Sequence, residues 1–179
     1  MIIFLNGPFG VGKTTTAQLL VERLPHAMVY DPEVMGSYLH YVLKTVDPVA
    51  DFQEYVLWRT LTVEVARLLR VTYEQTLIVP MTVTRQDYYA DILHGFRQLD
   101  PEVVCVRLLA SVEVLHARIA ASDEQQAAVR GWRFDHMVQG LAALSDPVFG
   151  VEVPTDTCTP ADVVDTILGL LPRVVPNPQ

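Results

Sequence analysis

Short apolar runs alternate along this chain with longer stretches whose apolar residues recur every three or four positions. That alternation is the signature of strands separated by amphipathic helices. The runs predict strands at Ile2–Leu5, Ala27–Tyr30, Gln75–Pro80, Glu102–Leu109 and Val148–Val153. The helical spacing predicts a first helix over Gly12–Leu24, with Ala17, Leu20 and Leu24 in register. A second follows Asp31 to Leu43, with Met35, Leu39 and Val42 on one face. A long helix is expected over Val49–Val71, carrying Phe52, Val56, Leu61, Val65 and Leu68, and another over Arg85–Leu99 with Tyr88, Ile92 and Phe96. Further helices are expected from Ser111 to Ala120, over Gly131–Leu144, and from Thr159 to Leu171. Several starts are marked locally. Asp31-Pro32 and Asp47-Pro48 pair a capping carboxylate with proline at the first helical position, and Thr159-Pro160-Ala161-Asp162 adds an acid three residues after its capping hydroxyl.

Strands that are apolar throughout, separated by helices, predict an α/β fold: one domain over residues 1–179, with a parallel sheet covered on both faces. Sites in such sheets lie beyond the carboxyl ends of the strands. The informative positions are therefore 7–14, Asp31, 80–82, 110–111 and 154–156.

The first of these carries the strongest motif. GPFGVGKT, residues 7–14, fits G-x-x-x-x-G-K-[ST] and stands between a strand and a helix. Gly7, Gly10 and Gly12 let the backbone close around an anion, with Pro8, Phe9 and Val11 completing the loop. Lys13 places a charge on the β- and γ-phosphates, and the Thr14 hydroxyl suits Mg²⁺. Thr15 follows in the first helical turn, where the helix dipole also favours an anion. Lysine is otherwise rare: Lys44 is the only other one.

Composition narrows the classes. Half of the 179 residues are hydrophobic, 19% are charged, and the formal net charge is −8. This is a globular composition, and the acidic balance argues against nucleic acid as a partner. No apolar run is long enough to span a bilayer and the N-terminus does not read as a signal peptide, so a cytoplasmic protein without an integral membrane segment is expected. Cys105 and Cys158 form neither a metal spacing nor a disulfide framework, and the five histidines form no metal-binding pair.

Other candidates follow from position. Asp31, directly after strand two, could take a proton from an attacking hydroxyl or hold a water on Mg²⁺; it also reads as an ordinary helix cap. Arg59 could reach an anionic or carbonyl group, or be a solvated helix arginine. Arg118, Arg130 and Arg133 flank a small polar stretch, 121–129, that reads as a loop or short helix. A lid over about 118–133 would bring arginines onto a transferring phosphoryl group. The turn at 154–157, including Asp156, could present backbone groups to an adenine edge. Strand three ends in TLIVPMT without an acid, which disfavours a motor or switch-type hydrolase.

The blocks MIIFLNGPFGVGKTTTA, VYDPEVMG, DFQEYVLWR and LIVPMT, in this order and spacing, resemble the tunicamycin-resistance ATP-binding proteins of bacteria, with looser similarity through QGLAALSDPVF. More broadly the chain is similar to P-loop nucleoside and small-molecule kinases. The resemblance implies a P-loop nucleoside-kinase-like three-layer sandwich with strand order 2-3-1-4-5, and an ATP- and Mg²⁺-dependent protein acting on tunicamycin, a lipid-linked uridine antibiotic. It implies Lys13, Asp31 and Arg130 as catalytic residues, Arg118 against adenine, and Arg130 and Arg133 near the phosphates. An acyl-bearing ligand needs an apolar groove with polar anchors; Met35, Tyr38, Phe52, Tyr55, Trp58 and Met81 could line one, or serve as ordinary core, as Trp58 in particular more often does. Asp31, Met35, Tyr38, Trp58, Arg59, Met81 and Thr82 are the expected substrate-binding set. Some members of the family have a longer, basic C-terminal extension linked to membrane association; peripheral association stays possible here, though the short tail lends it no support. Phosphoryl transfer to a hydroxyl is the leading expectation. ATP-dependent sequestration of the drug without chemistry is the alternative, and a housekeeping metabolite kinase a third reading.

Overall fold

The computed structural model describes residues 1–121 and 127–172, with backbone alone for 127–130. The expected loop at 121–129 and the side chain of Arg130 lie largely outside the described residues. Five strands form one parallel sheet: β1 (Ile2–Asn6), β2 (Ala27–Val29), β3 (Thr76–Met81), β4 (Val104–Leu109) and β5 (Val151–Pro154). Their order is β2-β3-β1-β4-β5, as expected. β1 is central, with Phe4 opposite Val79 on one side and Cys105 on the other.

Alternation along β1 divides the core. Ile2 and Phe4 point to one face, where they meet Trp58, Tyr89, Ile92 and Phe96. Ile3 and Leu5 point to the other, against Ala17, Leu20, Leu115 and Ile167. The first face is covered by α2 (Pro32–Leu43), α3 (Val56–Tyr73) and α4 (Gln86–Leu99). The second is covered by α1 (Lys13–Arg23), α5 (Val112–Ala120) and α7 (Pro160–Leu170). α6 (Ala127–Leu144) contributes Met137 to the second face and Leu144 to the first. The result is a three-layer sandwich.

The local start signals act as read at α2, where the Asp31 carboxylate accepts from the Glu33 amide at 2.9 Å, and at α7, where Thr159 and Asp162 form a capping box. The long central helix differs from expectation. It starts at Val56 rather than Val49, because Asp51 and Glu54 form their own capping box around a 3₁₀ turn at Phe52–Glu54. Its buried face is Trp58, Thr62 and Ala66; Val56 and Leu68 point outward. Asp47-Pro48 therefore opens a loop, not a helix. At the last strand, Asp146 caps a 3₁₀ turn at Pro147–Phe149, so β5 begins at Val151 instead of Val148. Phe149 is instead buried against Tyr89, whose hydroxyl donates to the Phe149 carbonyl.

Asn6 fixes the end of β1. It is fully buried; its Oδ1 accepts from the amides of Gly7 (2.9 Å) and Val83 (3.0 Å), and its Nδ2 donates to the Val83 carbonyl (2.8 Å). This one side chain ties the start of the glycine-rich loop to the segment after β3. Asn6→Ala leaves those backbone groups without partners, and is expected to cost about 1–3 kcal/mol for each group that water does not reach. Chemical denaturation would read the loss as a lower midpoint with an unchanged slope.

Candidate active site

The loop between β1 and α1 turns through Gly10 (φ +80°) and Gly12 (φ +101°), left-handed conformations that glycine adopts without steric cost. A Cβ on Gly10 would meet Ile119 at 2.9 Å and the Leu115 carbonyl at 3.2 Å, so the loop lies close on α5. α1 begins with no side-chain cap and no acid in its first turn, and Thr14 and Thr15 are exposed there. Uncapped amides at the positive end of a helix suit an anion such as a phosphate.

Lys13 folds back over the loop. Its Nζ donates to the carbonyls of Gly7 (2.9 Å) and Pro8 (3.1 Å). Burial pushes its pKa below the ordinary lysine value; Glu33 and then Asp31 pull it back up, and Arg133 adds to the lowering. Lys13 and Arg133 both approach the ring of Phe9, at 5.6 and 5.9 Å from its centroid. For a metal ion, the protein's own candidates are the Thr14 hydroxyl and the Asp31 carboxylate. Among the described residues no group of three or more His, Cys, Asp and Glu forms a cage. That donor set fits Mg²⁺, which takes one or two protein ligands and completes its shell from phosphates and water.

Two cavities flank this loop. The smaller, ≈300 Å³, runs past Gly10, Gly12, Thr15 and Thr16 to Arg118 and Thr155. Arg118 donates to the Thr155 hydroxyl (3.0 Å) and carbonyl (2.7 Å), which joins α5 to the turn after β5. Asp156 does not line it. Its carboxylate accepts from the Ser111 amide at 2.7 Å, a bond that holds its pKa below the usual carboxylate range and braces the turns after β4 and β5.

The larger cavity, ≈540 Å³, opens on the other side of Phe9. Phe9, Phe52 and Trp132 supply aromatic wall, while Glu33, His40, Asp51, Gln53 and Thr82 supply polar wall. Phe9 and Trp132 meet edge to face at 5.0 Å, so α6 closes down on the loop at this point. Glu33 comes from the first turn of α2, two residues after the Asp31 cap. Its Oε1 accepts from the Thr82 amide at 2.6 Å. Burial raises its pKa; the nearby Lys13 charge and the Thr82 N–H act against that rise. Thr82 is held from the other side too, its carbonyl accepting from Gln53 Nε2 at 2.8 Å. Gln53 is in turn held by Arg59, whose Nη1 donates to its carbonyl at 2.6 Å. Arg59, Gln53, Thr82 and Glu33 thus form one chain of contacts from α3 to the cavity wall at Glu33.

Thr82 of the expected substrate-binding residues and Phe52 of the expected apolar groove line this cavity. Trp58 and Met81 are fully buried, and the Trp58 indole donates to the Pro32 carbonyl at 2.9 Å. Both are core residues, Trp58 on the buried face of α3 and Met81 at the end of β3. Met35 packs against the same core. Tyr38 points to solvent and is 65% exposed. Arg59 is spent on Gln53, on Asp91 at 3.2 Å and on the Tyr88 ring at 4.1 Å. Asp31 is exposed and acts as a cap. Glu33 is what the sequence reading passed over. The signal was present, a second carboxylate two residues beyond a strand end, but capping accounted for the dipeptide before it. His40, Asp51 and Gln53 carried no signal of their own.

The family described as an AAA domain (AAA_33) matches over residues 2–144. The chain belongs to this AAA domain family. Among solved structures it is similar to the Deinococcus radiodurans tunicamycin resistance protein, at 27% identity and a TM-score of 0.72, over 94% of this chain and 93% of that one. It shares its fold with a sugar kinase from Janibacter sp. (16% identity, TM-score 0.65, 94% and 92% covered). It also shares it with the shikimate kinase of Acinetobacter baumannii solved with shikimate (18%, 0.62, 94% and 91%). A comparison with curated proteins finds no match. For this AAA domain protein the P-loop kinase fold is therefore established, and the likeness supports a nucleotide-binding, kinase-like function. Nucleotide and Mg²⁺ go with that fold in general. No helix among the described residues is long and apolar enough to cross a membrane.

Proposed function

We propose that this protein transfers the γ-phosphoryl group of ATP to a hydroxyl of tunicamycin or a similar nucleoside antibiotic. The observation that carries the reading is the placement of Lys13 and Glu33. Glu33 lines the larger cavity, its Oε1 held by the Thr82 amide at 2.6 Å, and it lies near enough to the phosphate-loop lysine for each charge to act on the other. A phosphoryl group on the loop and a hydroxyl in that cavity would meet there. The likeness to the D. radiodurans protein points to the drug as acceptor.

In this scheme the smaller cavity takes the base of ATP beside Arg118, and the loop amides with Lys13 hold the phosphates. Bound Mg²⁺, on Thr14 and through Asp31, would neutralise charge on the β- and γ-oxygens. Glu33 orients the acceptor hydroxyl and receives its proton. A new P–O bond forms to that oxygen as the γ-phosphorus bond to the bridging oxygen breaks, and ADP leaves. A carboxylate whose pKa is raised by burial is a better proton acceptor near neutrality than an ordinary one. Arg133, close to the Phe9 ring, stands on the phosphate side. Phe9 and Trp132 exclude water from the transfer.

Arg59 becomes a positioning residue. Arg59→Ala frees Gln53 and loosens Thr82 and Glu33. Acceptor KM is expected to rise about tenfold, the scale of one hydrogen bond to a charged group, with nucleotide affinity unchanged. An Arg59→Ala enzyme that loses nucleotide binding instead would contradict this role. The reading as a whole is tested by ADP release in the presence of Mg²⁺ and ATP. Addition of tunicamycin is expected to raise the rate; a rate indifferent to the drug would reject tunicamycin as the acceptor.

A further inference from the structure

A phosphate loop binds tightly when its amides already point at the anion, because donors set in place need no reordering on binding. Val11 shows what sets one of them. A trans peptide group is planar, so its C=O and the N–H of the next residue point opposite ways. Anchoring the Val11 carbonyl on one side therefore aims the Gly12 N–H at the other. Two donors meet at that carbonyl, Arg118 Nη1 and the Thr155 hydroxyl, each at 3.4 Å. Both bonds are long, but the two donors are locked to each other by shorter ones. Arg118 donates to the Thr155 hydroxyl at 3.0 Å and to the Thr155 carbonyl at 2.7 Å.

The anchor is itself fixed to the sheet. Thr155 is 3% exposed, and its amide donates at 2.8 Å to the carbonyl of Leu109, the last residue of β4. Asp156, next in the chain, accepts from the amide of Ser111, the N-cap of α5. Arg118 leaves α5 one residue before Ile119, on which Gly10 of the loop lies closely. The ends of β4 and β5, helix α5 and the middle of the loop are thus joined at one carbonyl. Asn6 holds the start of the same loop through the Gly7 amide.

We infer that Arg118 and Thr155 are positioning residues for the phosphate loop: by holding the Val11 carbonyl they turn the Gly12 N–H to receive a phosphate oxygen. A platform for the base would act on the nucleoside end of the ligand; this pair acts on the phosphates, through the loop. The role rests on the proposed function only in taking the loop as the phosphate seat. Neither the acceptor nor turnover enters it.

The test is calorimetric titration, with Mg²⁺ present, of two probes: ADP, and inorganic tripolyphosphate, which has phosphates and no base. The intact protein is expected to bind both. Thr155→Val removes the hydroxyl with no change of charge, and is expected to weaken both probes by the same factor, about fivefold, the scale of one hydrogen bond. Thr155→Ser is expected to bind both as the intact protein does. Arg118→Lys keeps the charge and loses the fork that grips Thr155 twice, and is also expected to weaken both probes alike. Thermal melting of each variant separates a loosened loop from a lost fold, and either folded variant suffices. Weakened ADP with unchanged tripolyphosphate would make Arg118 a base platform and overturn the inference. Full affinity of Arg118→Lys for both probes would overturn it too, since a charge acting directly on the phosphates would then explain the arginine. So would a protein that does not bind tripolyphosphate at all. The expected pattern with no drug-stimulated ADP release would sink the kinase reading alone. Drug-stimulated release with full tripolyphosphate affinity in Thr155→Val and Arg118→Lys would sink this inference alone.

Discussion

Lys13→Ala is expected to lower turnover by about 100- to 1,000-fold, the cost of removing one preorganised donor from a developing negative charge. The effect is large because the charge acts from a site that has already given up water. Burial pushes the lysine pKa down, and Glu33 and Asp31 act against that drop. Alanine removes the cation and leaves Glu33 and Asp31 without its opposing charge. Nucleotide binding is expected to weaken as well, because the Coulomb repulsion from those carboxylates is no longer offset. Lys13→Arg should not rescue: the folded-back Nζ sits 2.9 and 3.1 Å from two loop carbonyls, a space a planar guanidinium does not fit. Turnover within a fewfold of wild type in either variant would remove Lys13 from the mechanism.

Glu33→Gln is expected to have two effects of opposite sign. Turnover falls by about 100-fold or more, the range for a lost general base. Stability at neutral pH rises. The folded-state pKa of Glu33 is raised by burial above its ordinary value of 4.5. Below 4.5 the carboxyl is protonated in both folded and unfolded chains and costs nothing. As pH climbs through the folded value, the native state must either ionise a desolvated group or hold a proton that the unfolded chain releases. Glutamine removes that cost and keeps an oxygen for the Thr82 amide. The melting temperature of Glu33→Gln should therefore exceed that of wild type at neutral pH, with the gain vanishing near and below pH 4.5. A variant less stable than wild type at neutral pH would show that the Lys13 attraction outweighs burial. Asp31→Asn is the matching control. Asparagine caps a helix as well as aspartate does, so stability should hold, and a turnover loss smaller than that of Glu33→Gln would separate the two carboxylates.

The parts that were legible in the sequence are those whose determinants are neighbours along the chain. The phosphate loop is eight consecutive residues, and the α7 start is a capping box of four. The fold class followed from apolar runs alternating with helical spacing, and the strand order from the family resemblance. The α3 start was misread because the Asp51–Glu54 box, a local signal, overrode the helical periodicity that continues through Phe52. The buried face of the helix is Trp58, Thr62 and Ala66, so Trp58 is the core residue its size already suggested. The acceptor wall was not legible for a different reason. Glu33 meets Thr82 across 49 positions, and Thr82 meets Gln53 across 29. Nothing in the spacing of those residues announces the contact; the crossing of β3 beside α2 creates it. Asn6 lies between these cases. A lone amide at the end of a fully apolar strand marks a hydrogen-bonding duty, though not its partner Val83, 77 positions away.

The central claim is that a phosphoryl group crosses from the loop at Lys13 to a hydroxyl held beside Glu33. Mass spectrometry of tunicamycin after incubation with the protein, ATP and Mg²⁺ tests it most directly. A drug heavier by one phosphoryl group is expected, formed by the intact protein and not by Lys13→Ala, with fragmentation locating the modified oxygen. Unmodified drug recovered from a sample in which it is tightly bound would contradict the account and leave ATP-dependent sequestration in its place.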